Sequence, residues 1–173
     1  AGRCADMLMR YRLQMLPAQM NLLDSHDVPR FLSLCKGDRR RYRLAVLFEM
    51  AFVGMPTVFY GDELGIEGIS ELDYRAPMPW GGGDGELQGF FRRAIALRHE
   101  RTELRRGNFR VVSAERGSGL FAFERRFGGG SVTVCLNASE ERARMPEIGG
   151  APLWAEGLEG GVLEPFGFAV FGT

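Results

Sequence analysis

The chain has few cysteines, a single lysine and no long apolar run, and each shortage removes a class of protein. Cys4, Cys35 and Cys135 are odd in number and far apart, without C-x-x-C spacing, which argues against a disulfide framework and against a zinc site. Free thiols fit a reducing compartment, so the expected location is cytoplasmic. No stretch reaches the roughly 18 apolar residues of a membrane span, and no basic-then-apolar leader opens the chain. Net charge is also missing, with 22 basic against 22 acidic residues, so no overall field draws the protein onto nucleic acid or an anionic membrane.

What is present is ordinary for a folded protein: 173 residues, 45% hydrophobic and 25% charged, enough for one medium domain or two small ones. With Lys36 the only lysine, arginine supplies nearly all positive charge, and Arg39, Arg40, Arg41 and Arg43 form the one dense basic cluster. A nucleic-acid or phosphate patch is one reading of it, a solvated helix face the other. The first residues place Met7, Leu8, Tyr11 and Met15 at helical spacing, as if the numbering began inside a helix.

Up to about Leu104 the elements alternate. The pattern predicts a helix near 2 to 16, a strand at 20 to 24, a helix from Asp38 to Val53, a strand at 57 to 61 and a helix from Glu86 to Glu103. Such alternation signals βα units and a parallel sheet. Asp38 is placed to cap the helix after it, whose later part is apolar nearly all round and therefore buried on more than one side. After Gly107 the texture changes to β-rich runs at 109–112, 120–123, 131–136 and 168–171, separated by glycines, as in antiparallel strands. The expected division is 1–105, an α/β part, and 106–173, all-β.

Two places carry the chemistry. The run Asn21 to Asp27 (NLLDSHD) is a strand that stops at His26 and Asp27, delivering an imidazole and a carboxylate to its mouth. Gly54 to Glu63 repeats the plan, with a turn, a short strand and then Asp62 and Glu63. Asp24, Ser25 and Asn21 read as structural polar groups at the strand. Gly81–Gly83 and Gly128–Gly130 lack the ending of a phosphate loop and read as surface turns.

Together NLLDSHD, GMPTVFYGDELG and the later Tyr74-Arg75-Ala-Pro-Met78 followed by Trp80 resemble the α-amylase superfamily of glycoside hydrolases, in particular its cyclomaltodextrinase, neopullulanase and maltogenic amylase branch. The resemblance implies that 1–105 is the last part of a (β/α)8 barrel, with its seventh and eighth strands, and that 106–173 is a carboxyl-terminal antiparallel β-sandwich. In such barrels chemistry sits at the carboxyl ends of the strands. By the same likeness Asp27 is the transition-state-stabilising aspartate, His26 binds a sugar hydroxyl, and Arg75 with Glu71 grips a neighbouring sugar. Glu71 stands where the branch usually has aspartate, one methylene shorter. Asp62 and Glu63 orient the last strand, and Trp80 anchors the loop or stacks on a sugar.

The resemblance implies an α-glucan or cyclodextrin substrate, no cofactor and no recognisable metal-ligand set. The nucleophile and the general acid of a retaining glycosidase fall on earlier strands, so the stretch given is expected to be inactive alone and to need the missing barrel half or to self-associate. Transglycosylation, isomerisation and sucrose-type chemistry stay open. So does a different class, a non-catalytic carbohydrate-binding or assembly module built on the β-domain, although Trp154 stands without an aromatic partner in sequence.

Overall fold

Two short strands, β1 (Met20–Leu22) and β2 (Met55–Thr57), pair in parallel with Met20 opposite Met55 and Leu22 opposite Thr57. Parallel pairing points both carboxyl ends the same way, which brings the segments after Leu22 and after Thr57 to one rim. This geometry comes from a computed structural model describing residues 8–11 and 14–173. Of the helix expected over 2–16, residues 8–10 are helical, 14–15 form a turn and Leu16–Ala18 make one 3-10 turn. Residues 2–7 and 12–13, and with them Cys4, lie outside the described ones.

The connection between the strands is the helix pair α1 (Phe31–Leu34) and α2 (Arg39–Ala51). Asp38 caps α2 as expected, its carboxylate accepting from Arg40 N at 2.9 Å. Gly54 then lets β2 approach β1. Its φ is +111°, and a Cβ there would lie 2.6 Å from the Gln19 carbonyl and 2.7 Å from Asn21 Nδ2. Asn21 uses that closeness by donating to Val53 O at 2.7 Å.

Beyond β2 come a 3-10 turn (Asp62–Leu64), a one-turn helix α3 (Glu71–Tyr74), helix α4 (Gly85–Glu100) and helix α5 (Thr102–Arg106). The strand expected at 57–61 lies at 55–57 instead. Phe59 N turns to Asp62 Oδ2 at 3.2 Å, so the chain leaves the ladder. Likewise the strand expected to reach residue 24 stops at Leu22, where Asp24 turns to cap Phe31 N at 2.6 Å. The single helix expected over 86–103 is broken at Arg101, extended at φ −103° and ψ 104°, which lets α5 swing Leu104 into the core.

The switch to β-structure falls at Gly107. Strands β3 (Asn108–Ser113), β4 (Leu120–Phe127), β5 (Gly130–Asn137), β6 (Ala143–Arg144), β7 (Pro152–Glu159) and β8 (Val162–Gly172) form one antiparallel sheet in the order β3-β4-β5-β8-β6, with β7 also on β8. The two strands not anticipated, β6 and β7, lie in glycine- and proline-interrupted sequence without clean alternation.

One hydrophobic core runs from the helices into this sheet. Phe48 and Phe52 pack on Phe123 and Phe109, and Phe90 of α4 meets Trp154 at 4.8 Å and Phe168 at 5.8 Å. The nearly all-apolar face of α2 is thereby buried on several sides, as its composition requires. On the other side of the sheet Ala122, Cys135, Leu163, Ala169 and Phe171 form a second, smaller core that the curl of the sheet and Ala143 cover.

Candidate functional site

After β1 the chain makes a tight turn in which Ser25 bridges Val28 and Asp27 N donates to Ser25 Oγ at 3.2 Å. His26 and Asp27 occupy its tip, with His26 Nε2 3.3 Å from Asp27 Oδ1 and their side chains 66% and 68% exposed. The second contributor is α3, held by a capping box between Ser70 and Asp73. It delivers Glu71 and, at its end, Arg75.

Arg75 ties the two contributors together. Its Nε donates to the His26 carbonyl at 2.8 Å, Nη2 lies 3.5 Å from Asp27 Oδ1 and Nη1 2.7 Å from Glu71 Oε1. The four residues named from sequence as candidate site residues, His26, Asp27, Glu71 and Arg75, thus share one open rim. Glu71 thus reaches Arg75 from one turn earlier on the same helix. The ion pairs are exposed and therefore weak, of order 0–1 kcal/mol each, so the carboxylates remain available to a hydroxyl-rich ligand.

Beneath the rim lies a polar cluster that the sequence reading treated as structural and did not connect. Arg30 is fully buried, its Nη1 donating to Tyr60 O at 2.8 Å and to Asp62 Oδ1 at 2.9 Å, with its guanidinium 4.1 Å from the Phe59 ring centre. Burial and then the charge of Asp24 push the Asp62 carboxyl upward, against the pull of Arg30. Burial also pushes Glu49 up to about 7, with its Oε1 accepting from Thr57 N at 3.3 Å. Arg30 was missed because a lone arginine after His-Asp carries no local signal; the buried Asp24 and Asp62 that define its role lie six and thirty-two residues away.

Other sequence candidates resolve elsewhere. The arginine cluster is engaged with acids: Arg40 with Asp38 at 2.9 Å, Arg41 with Glu140 at 2.7 Å, Arg43 with Glu86 and Glu156 at 3.4 Å each, and Arg39 with Asp84. It staples α2 to its neighbours. Trp80 does not act as a loop anchor, since it is 88% exposed beside Gly81–Gly83, where three glycines offer no side chain to pack it. Trp154 is buried under Arg93. Cys35 and Cys135 are free thiols, and burial pushes Cys135 up to about 12. Among the described residues no group of three or more His, Cys, Asp or Glu is placed to hold a metal ion, and no helix is long and apolar enough to cross a membrane.

The chain is similar to known proteins in both sequence and fold. The chain is 40% identical over 158 residues to neopullulanase 2 of Thermoactinomyces vulgaris, spanning 88% of this chain and 27% of that protein. It is 35% identical over 148 residues to a cyclomaltodextrinase of Geobacillus thermopakistaniensis (strain MAS1), spanning 84% and 25%. In fold it matches the debranching enzyme of Nostoc punctiforme with a TM-score of 0.87 at 24% identity, over 99% of this chain and 37% of that one. The chain therefore spans about a quarter of the length of these curated relatives. Residues 3–108 match the family described as alpha amylase, catalytic domain, and the chain belongs to the α-amylase family.

Proposed function

We propose that this chain supplies the closing, sugar-gripping part of the active site of a retaining α-glucan hydrolase, acting on cyclodextrins or related α-glucans. The observation that carries the reading is the convergence of Asp27, His26 and Glu71 on the one guanidinium of Arg75 at an exposed rim. A carboxylate there accepts hydrogen bonds from two sugar hydroxyls. Those bonds strengthen as the ring flattens and gains positive charge, so Asp27 favours the transition state over the ground state. His26 donates to a hydroxyl of the same sugar, while Arg75, steadied by Glu71, turns from Asp27 to the next unit.

Retaining hydrolysis needs a nucleophile and an acid roughly 5 to 5.5 Å apart across the bond. On this reading both come from strands that precede residue 1, in a barrel of which 1–105 is the last part and 106–173 the carboxyl-terminal domain. Support comes from apolar side chains left open on and beside the parallel pair: Met20 is 62% exposed, Met55 52% and Leu22 41%. Such surface favours covering strands or self-association. Residues 1–173 alone are then inactive on cyclodextrin, pullulan and starch, and the protein works in the cytoplasm.

Isothermal titration with maltotriose tests the site. Asp27→Ala is expected to weaken binding about tenfold, as loss of one charged hydrogen-bond acceptor does. The competing reading, a non-catalytic carbohydrate-binding or assembly module built on the β-domain, wins if Asp27→Ala leaves maltotriose binding intact. Turnover of starch by the pure 173-residue chain refutes the division of catalytic residues.

A further inference from the structure

Three segments of the rim converge on Arg30. Its backbone N–H donates to Gly68 O at 2.9 Å, and Ser33 Oγ accepts from Gly68 N at 2.8 Å. This two-point latch pins the chain that enters α3 with Glu71 and leaves it at Arg75. The fit is close enough to require glycine, because a Cβ at residue 68 would sit 2.5 Å from Tyr74 N. The Arg30 side chain holds the second segment through Tyr60 O and Asp62. Tyr60 then closes the circuit, its hydroxyl donating at 2.8 Å to the carbonyl of Ala76, the residue after Arg75.

The turn carrying His26 and Asp27 is the third segment. Asp24 at its start accepts from Phe31 N at 2.6 Å, and Arg30 stands at its end, so both feet are fixed. None of this is cheap in free energy. Burying a guanidinium costs several kcal/mol unless every N–H is matched, and Arg30 Nε and Nη2 have no protein partner among the described residues, nor has Asp24 Oδ1. An apolar side chain would fill the space at lower cost. A local penalty of this kind, directly under a candidate site, is expected where geometry is what the residue provides.

We propose that Arg30 is a positioning residue: its side chain fixes the Tyr60–Asp62 loop, its backbone fixes the Gly68 loop, and together they set Asp27 and Arg75 at their mutual distance. The inference rests on the reading of Asp27 as a sugar-gripping carboxylate, and its test separates the two. The chain has two histidines, so the imidazole C2–H signals of His26 and His99 report the rim and helix α4 separately by NMR. In the full 173-residue chain, Arg30→Met is expected to move the His26 signal toward its position in Arg75→Ala while leaving His99 in place. It is also expected to weaken maltotriose binding about tenfold in the native background and by a smaller factor in an Asp27→Ala background, where only the misplacement of Arg75 still counts. If Arg30→Met does not fold, Asp62→Asn, which keeps the shape and weakens the grip, is read in the same way. A folded variant with an unmoved His26 signal overturns the proposal, as does an unchanged affinity or an equal loss in both backgrounds. If Asp27→Ala itself leaves native binding intact, the reading of Asp27 fails, and the His26 signal alone decides for or against Arg30.

Discussion

Glu49 offers a quantitative test of the buried polar layer. It lies on α2, is 5% exposed, and is pushed up to about 7 from an ordinary 4.5, first by burial and also by Asp24, against the opposing pulls of the Thr57 amide and Arg98. The folded state therefore holds the proton more tightly than the unfolded chain. Below pH 4.5 both states are protonated and the fold carries no penalty from this group. As pH rises from 4.5 to about 7 the unfolded chain ionises first, and stability falls by about 3 kcal/mol at 1.36 kcal/mol per tenfold change in proton affinity. Glu49→Gln keeps an oxygen to accept from Thr57 N but has no proton to lose. Urea unfolding followed by Trp154 fluorescence at several pH values should show the two proteins about equal near pH 4.5 and the Gln variant about 3 kcal/mol more stable at pH 8. Asp62, also raised, contributes the same sign to both proteins and cancels in the difference. Asp38, Asp84 and Glu124, which arginine and backbone donors hold below their ordinary values, act in the opposite sense and at lower pH, losing stability as pH falls. Parallel pH profiles for the two proteins would refute the assignment of a buried, proton-holding Glu49.

Two further perturbations address the frame around the site. Gly54→Ala forces a Cβ against the Gln19 carbonyl at a positive φ, and should cost about 3 kcal/mol and loosen β1 from β2, seen as faster amide exchange at Met55, whose N–H bonds Gln19 O at 2.7 Å. Arg125 is buried between the two architectural halves, its Nη1 on Ala51 O at 2.5 Å and its Nη2 on Gly107 O at 2.9 Å, and burial followed by the charge of Arg98 brings it down to about 10. Arg125→Met leaves both carbonyls without that donor, and should lower stability by about 2 kcal/mol in urea unfolding; a gain in stability would show that desolvation of the guanidinium outweighs its bonds.

Much of the plan was legible along the chain because it is written in local signals. Asp38 announces its helix by capping chemistry, the apolar face of α2 announces its burial, and the run of short alternating segments after Gly107 announces an antiparallel sheet. His26 and Asp27 stand out because an apolar run stops at them, and Glu71 and Arg75 follow from family likeness. The strand bounds were misjudged at 58–61 and 23–24, where side-chain carboxylates of Asp62 and Asp24 claim the backbone amides that a ladder would use. Nothing in a window of neighbouring residues reveals such competition.

What the order of residues determined by itself is therefore the kind of elements, the place where the architecture changes, and the identity of the rim's polar groups, since each depends on periodicity, capping or motif over a few positions. What only the tertiary structure decided is that Arg75 meets Asp27 across forty-eight residues of chain and that a buried Arg30 links Asp62, Tyr60 and Gly68. Those contacts join segments whose proximity is created by parallel strand pairing and by burial, and low-dielectric burial gives a charge its value only once the surrounding chain has closed over it.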